Sequence, residues 1–184
     1  MKRVRLFMIA AMAALILVSC GSSKEAVQLT TIPCQECKAT AETFRYLGQE
    51  VSDSDYQSQY ARSMAANVAR TELAAMVSAT IERVTDNYAG QIVNNENSDF
   101  SRNVKDLART VVNQLVKGTP VTCEAKEAGS KKGSTIYYAC VELTGKSVLD
   151  ELANQISNDE KLRVEFEYEK FKKVFEEEMS KIQQ

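Results

Sequence analysis

Four side chains in this 184-residue sequence could do covalent chemistry by type and spacing: Cys34, Cys37, Cys123 and Cys140. The first two form a C-x-x-C step, Pro33-Cys34-Gln35-Glu36-Cys37. After a thioredoxin-like strand that step supports dithiol exchange. Here the preceding residues have the composition of a tether, so a local disulfide or a pair of structural thiols is the plainer reading. A four-thiolate zinc site, C-x2-C…C-x16-C, is a third, and in an oxidising compartment it must compete with disulfide formation. Four cysteines allow three pairings. Cys123 and Cys140 lie on strand-like runs joined by Gly129-Ser130-Lys131-Lys132-Gly133, a hairpin signature. With the turn centred between Lys131 and Lys132, Cys123 falls directly opposite Cys140, within disulfide reach. The expected pairing is therefore Cys123 with Cys140, and Cys34 with Cys37 as its complement.

A fifth cysteine has another role. Lys2, Arg3 and Arg5 precede an apolar run over residues 6–18, which ends in Leu17-Val18-Ser19-Cys20. The run has the length of a signal-peptide core and is too short for a stable membrane span. Its end resembles the bacterial lipobox, which implies lipidation of Cys20, cleavage before it and attachment to a membrane through acyl chains. Gly21 in place of Asp favours an outer-membrane address. The organisation expected is a signal peptide over 1–19, a lipidated N-terminus and tether over 20–33, a folded domain over 34–158 and a charged helix over 159–184.

Composition narrows the chemistry further. Histidine is absent, which removes Ser-His-Asp and Cys-His catalysis and His-containing zinc sites. No G-x-G-x-x-G or G-x-x-x-x-G-K-[ST] run occurs, so no nucleotide cofactor is implied. Without residues 1–19 the chain has 20 Lys+Arg against 25 Asp+Glu, an acidic balance that speaks against nucleic acid as a partner. Asp53 and Asp55 read as charges at a helix start, and Glu176-Glu177-Glu178 as a solvated turn.

The elements that must position these residues follow from periodicity. Residues 42–51 read as a strand. Over 55–88 apolar residues recur at helical spacing (Tyr56, Tyr60, Met64, Val68, Met76, Ile81, Val84), with Ala61, Ala65, Ala69, Ala75 and Ala79 thickening the same side. A second helix is expected over 99–117, strands over 121–128 and 134–143, a short helix over 147–157 and a charged helix over 159–182. The last carries Phe166, Phe171 and Phe175, candidates for an exposed patch, against which stands the need of any helix to bury one face. The fold class expected is α+β: a small antiparallel sheet of about three strands on a long Ala-rich helix and further helices, in the order β-α-α-β-β-α-α.

Phe44-Arg45-Tyr46-Leu47-Gly48-Gln49-Glu50-Val51-Ser52, followed by Ala61-Arg62-Ser63-Met64-Ala65-Ala66-Asn67-Val68-Ala69-Arg70-Thr71-Glu72-Leu73-Ala74, resembles the twenty-kilodalton lipoprotein family of bacterial envelopes. Tyr137-Tyr138-Ala139-Cys140-Val141-Glu142-Leu143 fits the second hairpin strand of that family. The resemblance covers roughly residues 42–156, interrupted around the Asn-rich segment and the helix after it. It implies an envelope accessory protein and no catalytic residues. The expectation is a non-enzymatic protein, lipid-anchored in the outer membrane and acting through contacts with an envelope protein. The alternative is a periplasmic thiol-disulfide protein using Cys34 and Cys37.

Overall fold

Three strands form one antiparallel sheet in the order β1-β3-β2: β1 (Thr43–Ser52), β2 (Val121–Ala128) and β3 (Thr135–Thr144). The chain order is β1, α1 (Ser58–Ala89), α2 (Asn97–Lys117), β2, β3, α3 (Gly145–Asn158) and α4 (Tyr168–Ser180), with short 3-10 turns at Asp55–Gln57, Leu162–Val164 and Lys181–Gln183. This is the α+β class and the element order read from the sequence. The computed structural model describes residues 33–92 and 97–183; the expected signal peptide, Cys20 and most of the expected tether lie outside them.

Alternation along the strands decides which side of the sheet is inside. Phe44 on β1 and Ala139 and Val141 on β3 are almost fully buried and face α1. Because successive strand side chains point to opposite faces, Arg45, Leu47, Gln49 and Val51 of β1 face away from α1, together with Ile136, Tyr138, Cys140 and Glu142 of β3. The helices cover the first face: α1 packs on β1 and β3, and α2 and α4 pack on α1.

The long helix buries a different stripe from the one its large residues suggest. Tyr56 and Tyr60 are 87% and 66% exposed, whereas Ala61, Ala65 and Ala69 are buried. Ala75 and Ala79 lie on the exposed side. The reason is the close approach of helix and sheet: a Cβ on Gly48 would lie 2.1 Å from the Ala65 carbonyl oxygen and 2.5 Å from the Ala69 amide nitrogen. Only glycine on the strand and alanine on the helix allow that distance. Past this contact the buried stripe continues in larger residues, Leu73, Val77, Ile81 and Val84, which fill the space between α1 and the other helices.

Residues 159–183 do not stand apart: the described residues form one compact unit. The expected helix over 159–182 is broken, with α4 confined to Tyr168–Ser180. Its aromatics belong to the core rather than to a surface patch. Phe171 and Phe175 are 0% and 2% exposed, and Phe166 packs against the core. Tyr88 at the end of α1 collects two of these rings and one from α2, with centroids 5.3 Å from Phe171, 6.4 Å from Phe166 and 5.4 Å from Phe100. Its hydroxyl donates to the Glu165 carbonyl at 2.8 Å and accepts the Glu167 N–H at 2.7 Å, so the buried oxygen is satisfied.

The acidic run corrects the sequence reading in a similar way. Glu178 is 2% exposed, not solvated. It accepts from Asn87 Nδ2 at 2.8 Å, from Arg83 Nε at 3.3 Å and from the Lys181 ammonium, tying α4 to α1. Burial alone pushes its carboxyl upward, but Lys181 and Arg83 outweigh it and hold the group below the usual glutamate range.

Candidate functional site: the outer face of the sheet

Among the described residues, the sheet face turned away from α1 has no helix on it. At one end the C-x-x-C segment lies across it, joined to both hairpin strands. Cys34 is bonded to Cys123 and Cys37 to Cys140, each with a Cα–Cα separation of 5.9 Å. The register read from the turn is correct, since Cys123 and Cys140 are Cα partners across the hairpin. The pairing expected from it is not, and neither is its complement Cys34–Cys37. Each strand cysteine reaches instead to one member of the C-x-x-C step. Cys34 and Cys37 are held as the two ends of a tight turn, with the Cys37 N–H donating to the Cys34 carbonyl at 2.8 Å. That turn spans the neighbouring strands and presents one thiol to each. The bridges thus fasten a segment with no strand pairing of its own to the sheet, closing sequence separations of 89 and 103 residues.

Cys34 has φ of +56°, the left-handed region that costs a non-glycine residue free energy. Cys140 is 2% exposed beneath the segment, while Cys34, Cys37 and Cys123 are half-buried. Next to the bridges, Arg45 Nε donates to Glu142 Oε2 at 2.7 Å across the β1–β3 pair. Further along, the Tyr138 hydroxyl donates to the Glu127 carboxylate; that bond, with burial helping, pushes the phenol up to about 12. Beyond Tyr138 the face ends in Ile136 and its partner Val51, which is 53% exposed. Val51 is the last outer-face residue of β1, which ends at Ser52; the exposed Tyr56 and Tyr60 follow in the 3-10 turn and the first turn of α1.

This face presents an arginine paired with a carboxylate, a tyrosine, and aliphatic side chains on the sheet. Among the described residues no group of three or more His, Cys, Asp or Glu side chains is placed to hold a metal ion. The four cysteines considered for zinc are committed to disulfides. Of the three arginines on α1, Arg62 pairs with Glu124 and Arg83 with Glu178, and Arg70 donates to the Thr119 carbonyl. No helix among the described residues is long and apolar enough to cross a membrane. Cys20 lies outside the described residues.

The outer-face row was absent from the sequence reading, though a signal for it exists. β1 carries apolar residues in both phases of its alternation: Phe44 and Tyr46 on one side, Leu47 and Val51 on the other. A strand apolar on both faces implies two packing partners, and here only one is supplied by helices. Compared with protein-family models, with curated proteins and with solved structures, the chain finds no match.

Proposed function

We propose that this protein is a non-enzymatic, lipid-anchored accessory protein of the bacterial envelope, held in the outer membrane through Cys20 and working by protein–protein contact on the outer face of its sheet. The observation that carries the reading is the one-sided sheet. Among the described residues, a partly apolar face lies free of helices beyond the bridged segment, and such surfaces mark contact sites. Support for the compartment comes from the export-type leader and from four cysteines joined as disulfides, which persist where the environment oxidises.

Two experiments test this. Cys20→Ala removes the sulfur that acylation needs, so the variant should accumulate as unprocessed or soluble protein; normal processing and membrane retention would reject the anchor. A photo-crosslinking side chain at Gln49, on the outer face, should trap a discrete protein adduct in intact envelopes, and Val51→Asp should abolish it. The same probe at Asn154, on the exposed side of α3, should give none. Equal adducts from both positions, or none from Gln49, would sink the contact reading.

A further inference from the structure

The two disulfides sit in unlike surroundings. Cys34–Cys123 joins two half-buried residues, one of them forced into the left-handed backbone region at φ of +56°. Cys37–Cys140 ends on a cysteine 2% exposed in the central strand of the sheet. Thiol–disulfide exchange needs access to a sulfur, and a leaving sulfur that tolerates negative charge. Burial in apolar surroundings raises a thiol's pKa and makes it a poor leaving group. For Cys37–Cys140, attack on Cys140 is blocked by its burial, and attack on Cys37 must expel a thiolate into that same covered position. For Cys34–Cys123 neither restriction applies, and opening also lets Cys34 leave its strained conformation.

We infer that Cys34–Cys123 is a thiol-exchange site whose substrate is a dithiol, while Cys37–Cys140 is a permanent structural bridge. One thiolate of the dithiol attacks a sulfur of Cys34–Cys123, forming a mixed disulfide and releasing the other cysteine as a thiolate. The second thiol of the dithiol then attacks the mixed disulfide. The dithiol leaves as its own disulfide, oxidised by two electrons, and its two protons end on Cys34 and Cys123, now both thiols. The product keeps the C-x-x-C turn attached to β3 through Cys37 but frees it from β2. The redox state of one bridge therefore sets how much of the β2 side of the outer face this segment covers. The inference concerns the same face as the proposed function but does not depend on a partner binding there.

The test uses the wild-type protein and dithiothreitol as the dithiol. Samples are quenched with iodoacetamide at intervals and each cysteine is mapped by mass spectrometry. Cys34 and Cys123 should become alkylated together, at least ten-fold faster than Cys37 and Cys140. Equal rates at all four positions, or earlier alkylation of Cys37 and Cys140, would overturn the assignment. So would a peptide linking Cys123 to Cys140, because it would mean that the buried bridge is opened by its neighbour. A Cys34→Ser/Cys123→Ser variant supplies a second reading: its remaining bridge should keep the slow rate seen in wild type, and acceleration of ten-fold or more would show that the slow bridge owed its protection to the first.

Discussion

Replacing Gly48 by alanine adds one methyl group at the tightest point of the fold. That Cβ would stand 2.1 Å from the Ala65 carbonyl oxygen, 2.5 Å from the Ala69 nitrogen and 2.9 Å from the Ala69 Cβ. An ordinary contact needs roughly 3.5 Å, so α1 must withdraw from β1 by on the order of 1 Å. A gap of that size forfeits a quarter to a half of the dispersion energy of each facing atom pair. Overpacking in a filled core costs about 1–3 kcal/mol and sometimes more, and here the obstacle is mostly backbone, which cannot rotate away. Against this stands only the modest entropic gain of losing a glycine, about 0.4–1 kcal/mol. A net loss of about 3 kcal/mol is expected. With a urea m-value of about 1.5 kcal/mol/M, the unfolding midpoint should fall by about 2 M at unchanged slope. Adding Ala69→Gly should recover little, because it removes the farthest of the three obstacles and leaves both backbone atoms. A Gly48→Ala variant within 0.5 kcal/mol of wild type, or full rescue by Ala69→Gly, would refute the close-approach argument.

Three further outcomes follow from the same geometry. With Cys37–Cys140 intact, the second bridge closes a ring of only about 20 residues, so Cys34→Ser/Cys123→Ser should lower stability by about 3 kcal/mol; a loss under 1 kcal/mol in denaturant unfolding would contradict it. Glu178 is buried with its carboxyl held low, so its contribution is fully present above the ordinary glutamate range and disappears as pH falls through the depressed value. Glu178→Gln should cost about 1–3 kcal/mol at pH 7, and less below pH 4; a pH-independent difference would count against it. Glu127→Gln should bring the Tyr138 phenol, now near 12, back toward its ordinary value of 10 in an ultraviolet titration, and no movement would dispose of that hydrogen bond.

Much of the architecture is written locally. β-forming residues over 42–51, helical spacing over 55–88 and the Gly-Ser-Lys-Lys-Gly turn are short-range signals, and every element but the last helix appears within three residues of its expected bounds. The turn even sets the register that places Cys123 opposite Cys140. What failed was partner choice. Glu178 reads as one of three solvated acids because its long-range partners, Arg83 and Asn87 on α1, meet it only after folding. The stripe Tyr56–Tyr60–Met64 has helical spacing but loses the sheet to Ala61–Ala65–Ala69, because the depth of the α1–β1 approach depends on Gly48, which is distant in sequence from the helix residues it meets.

From the sequence alone came the number and type of elements, the even set of cysteines after Cys20, the absence of histidine and the expectation of an export leader ending before Cys20. These depend on composition and on neighbours a few residues apart. The tertiary structure alone decided which cysteine meets which, which face of the sheet the described helices leave uncovered, and that Phe171 packs inside against Tyr88. Each of those outcomes joins residues tens of positions apart in the chain. A cross-strand pair of cysteines can bond to each other or to a third segment that lies over both. Local spacing holds no information about that segment's position, which is settled only when the sheet and its covering helices have packed.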